Sequence, residues 1–256
     1  MSTRQALVLR LTAPMQSWGV RGGFADYRDT ATHPTRSGVL GLLGAALGQS
    51  RSEAPGPLTA LDLTVRIDRP GTPMQDYQTI GGQSRTEVVP CANGHLRTGA
   101  VITRRAYLAD AAFTVILTGP AALLRKVSDA LDHPVHPPYL GRRACPPTEP
   151  YNLGIHQGSV THLLKTTPLD RQKPRTDDSV TIYVIATITP DDPRVTHTLN
   201  DDPHGARHFA ERALARSTLT LPAELCSGRG AAPRYTTLHE FRYGPPHSTD
   251  TPKPRS

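Results

Sequence analysis

An α+β fold is predicted from three features of the sequence. Runs of period-two hydrophobicity, Gln5 to Leu11, Leu61 to Ile67 and Ala112 to Thr118, read as strands. Two stretches of helical period, beginning near Ser37 and at Ala121, follow the first and third of them. Between the second and third strands lies a polar, arginine-bearing excursion with too little apolar surface to join a core. Strand, helix, strand, excursion, strand, helix is the order of a ferredoxin-like (RRM-like) split βαβ body carrying a projecting β-hairpin thumb. Additional C-terminal strands complete the plan.

The first strand alternates Leu7, Leu9 and Leu11 against Ala6, Val8 and Arg10, the pattern of a half-buried strand. A Gly-rich loop follows from Thr12 to Pro34 with Trp18, Arg21, Phe24, Tyr27 and Arg28. The helix after it starts at Pro34-Thr35-Arg36-Ser37, where Thr35 or Ser37 supplies a cap and Pro costs little. Gly38, Gly41 and Gly44 weaken that helix intrinsically, which predicts close packing on a sheet, and Gly48 ends it. The excursion, 76–105, holds short β-like pieces at Val88-Val89 and Val101-Ile102 around Asn93-Gly94-His95 and reads as a long hairpin. Ala121 to Leu131 buries Leu123, Leu124, Val127 and Leu131. Thr181 to Thr189 is a further strand, Gly205 to Ser217 reads as helix, and Leu219 to Leu221 as a short closing strand. The expected organisation is one domain over 1–244, with a core at 5–75 and 106–150, the hairpin at 76–105 and a β-rich extension at 151–244. Residues 245–256 are Pro-rich, polar and aperiodic, the composition of a disordered tail.

The 256 residues suffice for a real core in one large domain. The longest apolar stretch, Val39 to Leu47, is interrupted by glycines and far short of a membrane span. The opening Met1-Ser2-Thr3-Arg4-Gln5 lacks a signal peptide's apolar segment, so a soluble cytoplasmic protein is expected. Cys91, Cys145 and Cys226 are dispersed and odd in number, which argues against a disulfide framework and against zinc; no metal or cofactor is expected. The formal charge is +7, and 25 of the 29 basic residues are arginine. A GC-rich genome explains such a bias, and so does a polyanionic partner, whose phosphates suit planar guanidinium forks. Composition leaves both open.

No nucleotide-binding loop is present, because Gly41-Leu42-Leu43-Gly44 lacks the following Lys-Ser/Thr. Thr35, Arg36 and Ser37 lie at the positive end of a helix, a place that attracts phosphate, although ordinary capping with a solvated arginine is the commoner fate of such sequences. Trp18, Phe24 and Tyr27 interleave with Arg21 and Arg28, a mixture suited to stacking bases, or else the aromatics pack beneath their own loop. The hairpin carries Arg85, His95, Arg97, Arg104 and Arg105 against Asp76 and Glu87, as expected of an arm that wraps an anionic partner. His204 and His208 lack the glutamate of a zinc-protease helix, and no Gly-x-Ser-x-Gly elbow occurs. Tyr27 and His33 could assist metal-free RNA cleavage by proton transfer, yet nothing in the sequence brings them together.

Several stretches resemble one family. They are Leu9-Arg10-Leu11 with Pro14-Met15-Gln16-Ser17-Trp18-Gly19, and Pro34 to Gly48. They continue through Asp76-Tyr77-Gln78-Thr79, Ile102 to Ala111 and Pro138-Tyr139-Leu140-Gly141-Arg142-Arg143-Ala144-Cys145-Pro146. In this order they resemble the CasD family of the RAMP superfamily, the CRISPR RNA 5′-handle-binding subunits of type I-E Cascade. The likeness covers roughly residues 5 to 150 and only loosely the C-terminal third. It implies a non-catalytic subunit that holds the 5′ handle of the guide RNA, caps the CasC backbone and adjoins the large CasA subunit. Target DNA would be recognised within the assembled complex, in antiviral defence. The residues it implies for RNA binding are Trp18, Arg21, Phe24, Arg28, Thr35, Arg36, Ser37, Arg85, Arg97, Arg104, Arg105, Tyr139, Arg142 and Arg143. Related subunits of type I-C systems cleave RNA, which keeps a metal-independent endoribonuclease as the alternative.

Overall fold

The computed structural model describes residues 5–20, 26–50, 53, 55–82, 84, 88–90, 95–205, 208–227 and 231–245. The chain runs β1 (Gln5–Thr12), β2 (Met15–Gln16), β3 (Tyr27–Arg28), α1 (Arg36–Ala46), β4 (Asp62–Arg69), β5 (Thr72–Ile80), β6 (Val88–Pro90), β7 (Leu96–Thr98), β8 (Val101–Ala109) and β9 (Ala112–Thr118). Then come α2 (Ala121–Asp132), β10 (Asn152–Gln157), α3 (Val160–Thr166), β11 (Ser179–Thr187), β12 (His197–Gly205), β13 (His208–Pro222) and α4 (Ala231–Tyr243). The architecture is mixed α+β, with mostly antiparallel sheets.

Seven strands form the main sheet in the order β10-β1-β9-β4-β11-β13-β12, every neighbouring pair antiparallel. One face packs Leu7, Leu9, Leu63, Val65, Val115 and Leu117 against Val39 and Leu43 of α1 and Leu124 and Val127 of α2. The opposite face packs Ala6, Val8, Ile116, Val180, Ile182 and Val184 against Leu163 and Leu164 of α3 and Leu238 of α4. β1 is therefore covered on both sides and not half-buried as its alternation predicts. The second cover comes from the C-terminal part of the chain, which the first strand's own pattern does not announce.

That second layer is held by buried charge. Arg66, 0% exposed, donates from Nε to Asp68 Oδ1 at 2.6 Å and from Nη1 to the carbonyls of Leu164 and Thr167, each at 2.8 Å. Asp68 Oδ2 accepts the Asp170 backbone N–H at 3.1 Å, and Asp170 Oδ2 accepts Arg10 Nε at 2.6 Å. Strands β1 and β4 are thus tied to the segment after α3 through charges that satisfy one another. Burial pulls the Arg10 pKa down, opposed chiefly by Asp170.

The helix predicted from Gly205 to Ser217 is strand instead at Gly205 and over 208–217, while 206 and 207 lie outside the described residues. β13 lies between β11 and β12 with nine consecutive pairings to β11, from Ser179↔Pro222 to Thr187↔Leu214. Ala-Glu-Arg-Ala-Leu-Ala-Arg has good helix propensity, but sheet partners on both sides outweigh a few tenths of a kcal/mol per residue.

The α1 boundaries follow the capping rules. Thr35 is the cap, its hydroxyl accepting Gly38 N–H at 3.2 Å, and Gly48 leaves the helix at φ 77°. A Cβ on Gly38 would sit 2.8 Å from the Trp18 ring, so close packing explains that glycine. Gly41 faces open space, and packing does not explain it.

Candidate nucleic-acid interface

A second, smaller sheet is built around β8. β5 pairs antiparallel along one edge from Thr72↔Ala109 to Ile80↔Val101, and the other edge takes β2 antiparallel and β3 parallel. The registers place Tyr27, Arg104 and Tyr77 in one cross-strand row and Arg28, Arg105 and Asp76 in the next. Side chains opposite one another share a face and successive residues alternate, so Arg104 and Arg105 project from opposite faces. Tyr27 is 52% and Tyr77 58% exposed, and Arg104 is exposed between them. Among the described residues the Arg104 side chain makes no hydrogen bond or ion pair. Arg105 is half-buried, and Gln78 holds the neighbouring Asp76 at 2.5 Å.

The loop after α2 docks on the Arg105 face. Ser17 N–H donates to the Leu140 carbonyl at 3.1 Å, and Leu140 N–H to the Cys145 carbonyl at 2.7 Å. Gly141, at φ 82°, lies so close that a Cβ would be 1.5 Å from the Ser17 carbonyl oxygen, so only glycine fits. The loop delivers the Arg142 guanidinium 4.5 Å above the Tyr107 ring, with Nη2 donating to the Arg28 carbonyl at 3.3 Å. Tyr107 shares Arg105's phase on β8, so Arg28, Arg105 and Arg142 gather on one side of this sheet. Arg142 Nη1 is buried without a partner among the described residues. Arg143 follows, exposed, and Tyr139 is half-buried. Burial raises the pKa of the neighbouring Cys145 thiol, which keeps it protonated at neutral pH; it and Cys226 are free thiols, while Cys91 lies outside the described residues.

Four residues expected at an RNA surface are placed otherwise. Trp18 is 1% exposed, its indole N–H donating to Gln16 Oε1 at 3.1 Å and its ring against Gly38, so it offers no face for a base. Arg36 is buried; Nε meets Asp202 Oδ1 at 2.7 Å, and the other two nitrogens donate to the carbonyls of Leu61 and Thr59 at 2.5 and 2.7 Å. The start of α1 already holds an anion of its own. Asp201 from β12 accepts the Arg36 backbone N–H at 2.6 Å, and Arg212 grips the same carboxylate from two nitrogens at 2.9 and 2.7 Å. Thr35 is spent on its cap and Ser37 turns to Thr35, so that helix end is already supplied with an internal anion.

Arg97 is exposed on β7, apart from the β8 sheet's registers. Arg21, Phe24, Arg85 and the segment 246–256 lie outside the described residues. His33 is 4% exposed, accepts no proton readily because burial lowers its pKa, and meets His197 edge-on at a ring-centre distance of 6.0 Å. Tyr27 stands on the open face of the small sheet, and among the described residues it shares no hydrogen bond with His33. Among the described residues no three His, Cys, Asp or Glu side chains converge in a way that would hold a metal ion. No helix among them is long and apolar enough to cross a membrane.

Sequence reasoning missed two features. Tyr77 is one aromatic in a polar strand, and only the pairing of β5 with β8 puts it beside Arg104. The Asp201–Arg212 lock joins residues far from α1 in the chain, and no local pattern signals it.

The family model described as CRISPR-associated protein (Cas_Cas5) matches residues 6–214. The CRISPR system Cascade subunit CasD of Escherichia coli K12 is 37% identical over 210 residues, covering 75% of this chain and 90% of that protein. A solved structure described as a CRISPR RNA-guided surveillance complex contains a chain 35% identical, with TM-score 0.80 over 92% of this chain and 98% of its own length. A crystal structure of a Cas protein, 31% identical, superposes at TM-score 0.65 over 88% of this chain and 98% of that one.

Proposed function

This chain belongs to the Cas5 family of CRISPR-associated proteins, and from that premise we propose that it is the Cascade subunit that grips the 5′ handle of CRISPR RNA. The observation that carries this reading is the gathering of Arg28, Arg105 and Arg142, with Arg104 and Arg143 exposed nearby, on one small sheet and its docked loop. Arginine is the residue for phosphate, since its fork donates two parallel hydrogen bonds. Around β1, β9 and β4 the main sheet is covered on both faces, so RNA is excluded there and directed to the β8 sheet.

The strand order β10-β1-β9-β4 with α1 and α2 supports a ferredoxin-like body, and β5 with β8 supports the thumb. In this reading the thumb crosses the RNA at the junction of handle and guide. The subunit caps the CasC filament, adjoins CasA and contacts target DNA only within the assembled cytoplasmic complex, where base pairing with the guide supplies the specificity. The subunit has no need of its own nuclease site. Exposed Tyr27 and buried His33, which share no hydrogen bond among the described residues, support binding over the alternative of metal-independent cleavage.

The test is to incubate labelled repeat RNA with the full-length protein, alone and with the other Cascade subunits, and to read retention and cleavage together. Retention of intact RNA that depends on its 5′ handle is expected. Cutting by this protein alone, insensitive to chelator, overturns the reading.

A further inference from the structure

We infer that Tyr27, Arg104 and Tyr77 form a stacking row for unpaired bases of single-stranded RNA. The inference rests on the RNA-binding reading of the β8 sheet and goes beyond it by separating the two faces of that sheet. The Arg28, Arg105 and Arg142 side is cationic and half-buried, suited to phosphates. The other side presents an aromatic, a guanidinium and an aromatic directly opposite one another on β3, β8 and β5.

Four observations carry it. Both tyrosines are more than half exposed, at 52% and 58%, although aromatic side chains on a three-stranded surface ordinarily bury against a neighbour. Arg104 makes no side-chain hydrogen bond or ion pair among the described residues, unlike buried Arg10, Arg36, Arg66 and Arg212. The flanking pairs on the same face of β5 and β8, Thr79 with Ile102 and Gln75 with Ala106, are neutral, with Ile102 46% exposed, so neither pair sets a carboxylate beside the guanidinium. The main chain is anchored, since Arg104 N–H donates to the Asp26 carbonyl at 2.7 Å and fixes β3 against β8.

Adjacent strands are about 4.8 Å apart, so the tyrosines stand roughly 10 Å from each other with Arg104 midway. That spacing is too wide for two rings to sandwich a single base. It fits a splayed strand that lays one base on each tyrosine and a third on the guanidinium plane. Stacking tolerates any base, because every base has a π-face, so this row adds affinity and fixes the strand's path without reading sequence. The occupant is RNA with unpaired bases, since paired RNA hides the faces that such a row engages.

The test uses handle RNA carrying 5-iodouracil at single positions, the full-length protein and its Tyr27→Leu and Tyr77→Leu variants, with Tyr183→Leu on β11 as control. Irradiation should crosslink Tyr27 and Tyr77 to different nucleotides. Each leucine variant should lose its own crosslink and weaken binding on the order of tenfold, the scale of one stacked base. The slope of log affinity against log salt should stay at the wild-type value, because a tyrosine releases no counterions. Thermal midpoints measured alongside should match wild type, which separates a lost contact from a lost fold. Wild-type crosslinking and affinity in both variants overturns the row. Unchanged RNA affinity with impaired joining to the other subunits assigns the row to a protein contact and equally overturns it. Failure of the wild-type protein to retain RNA at all, alone or assembled, is a different result and removes the underlying reading.

Discussion

The arginines of the body and those of the β8 sheet are the same residue put to opposite uses. Arg10, Arg36, Arg66 and Arg212 are 5%, 8%, 0% and 6% exposed, and each has a carboxylate within 2.9 Å. Arg104 on β8 and Arg143 on the docked loop are exposed, as is Arg97 on the separate β6–β7 pair. A buried guanidinium is tolerable only when its charge is matched and its donors are used. An exposed one without a carboxylate partner keeps its attraction for a phosphate. Basic composition is therefore a poor measure of RNA-binding capacity, because part of the charge is consumed in holding sheets and loops together.

The largest effect that would break this division is expected at Asp201. Asp201→Ala strands the buried Arg212 guanidinium and the first N–H of α1, so stability should fall by about 3–5 kcal/mol, read from the urea midpoint. A loss below about 1 kcal/mol would mean that solvent replaces the lock. Gly141→Ala should come next. Its Cβ has no room beside Ser17 and its φ is left-handed, so a loss above about 1 kcal/mol is expected, with weaker RNA binding as Arg142 shifts.

A smaller, pH-dependent effect should come from His33 and His197. Burial, then nearby cations including Arg212, holds both below the ordinary histidine range, so the folded protein keeps them neutral. The unfolded chain takes up protons near pH 6.5 while the folded one does not, so stability should fall as pH drops below that value and plateau above it. Urea midpoints at pH 7.5 and 5.5 check the sign; a higher midpoint at the lower pH would contradict it. The smallest change in stability is expected from Arg104→Ala, within about 0.5 kcal/mol, because no described residue bonds to that side chain.

Where the chain's own local pattern decides structure, the sequence reveals it. The strand at Ala112–Thr118, the α2 span and the Thr35 cap all follow from periodicity or a hydroxyl before a helix. β13 does not, because its helix-forming composition is overruled by partners on both edges. The site divides in the same way. The motifs single out Arg104, Arg105 and Arg142, and the aromatic-rich loop Arg28, yet face and burial depend on register and on the loop that Gly141 lets approach. Trp18 and Arg36 sit in equally distinctive motifs and serve the fold instead, because Gly38 admits the indole and Asp202 receives the guanidinium.

The central claim is that the carboxylate-paired arginines of the body serve the fold and those of the β8 sheet serve the RNA, and Arg104→Ala combined with Arg105→Ala tests it most directly. Handle-RNA affinity should be measured across a salt series, with urea midpoints in parallel. The account predicts weaker binding, a log–log salt slope shallower by up to about 2, and an almost unchanged midpoint. An unchanged slope would contradict a phosphate role for Arg105 and a charged contact of Arg104 with the RNA.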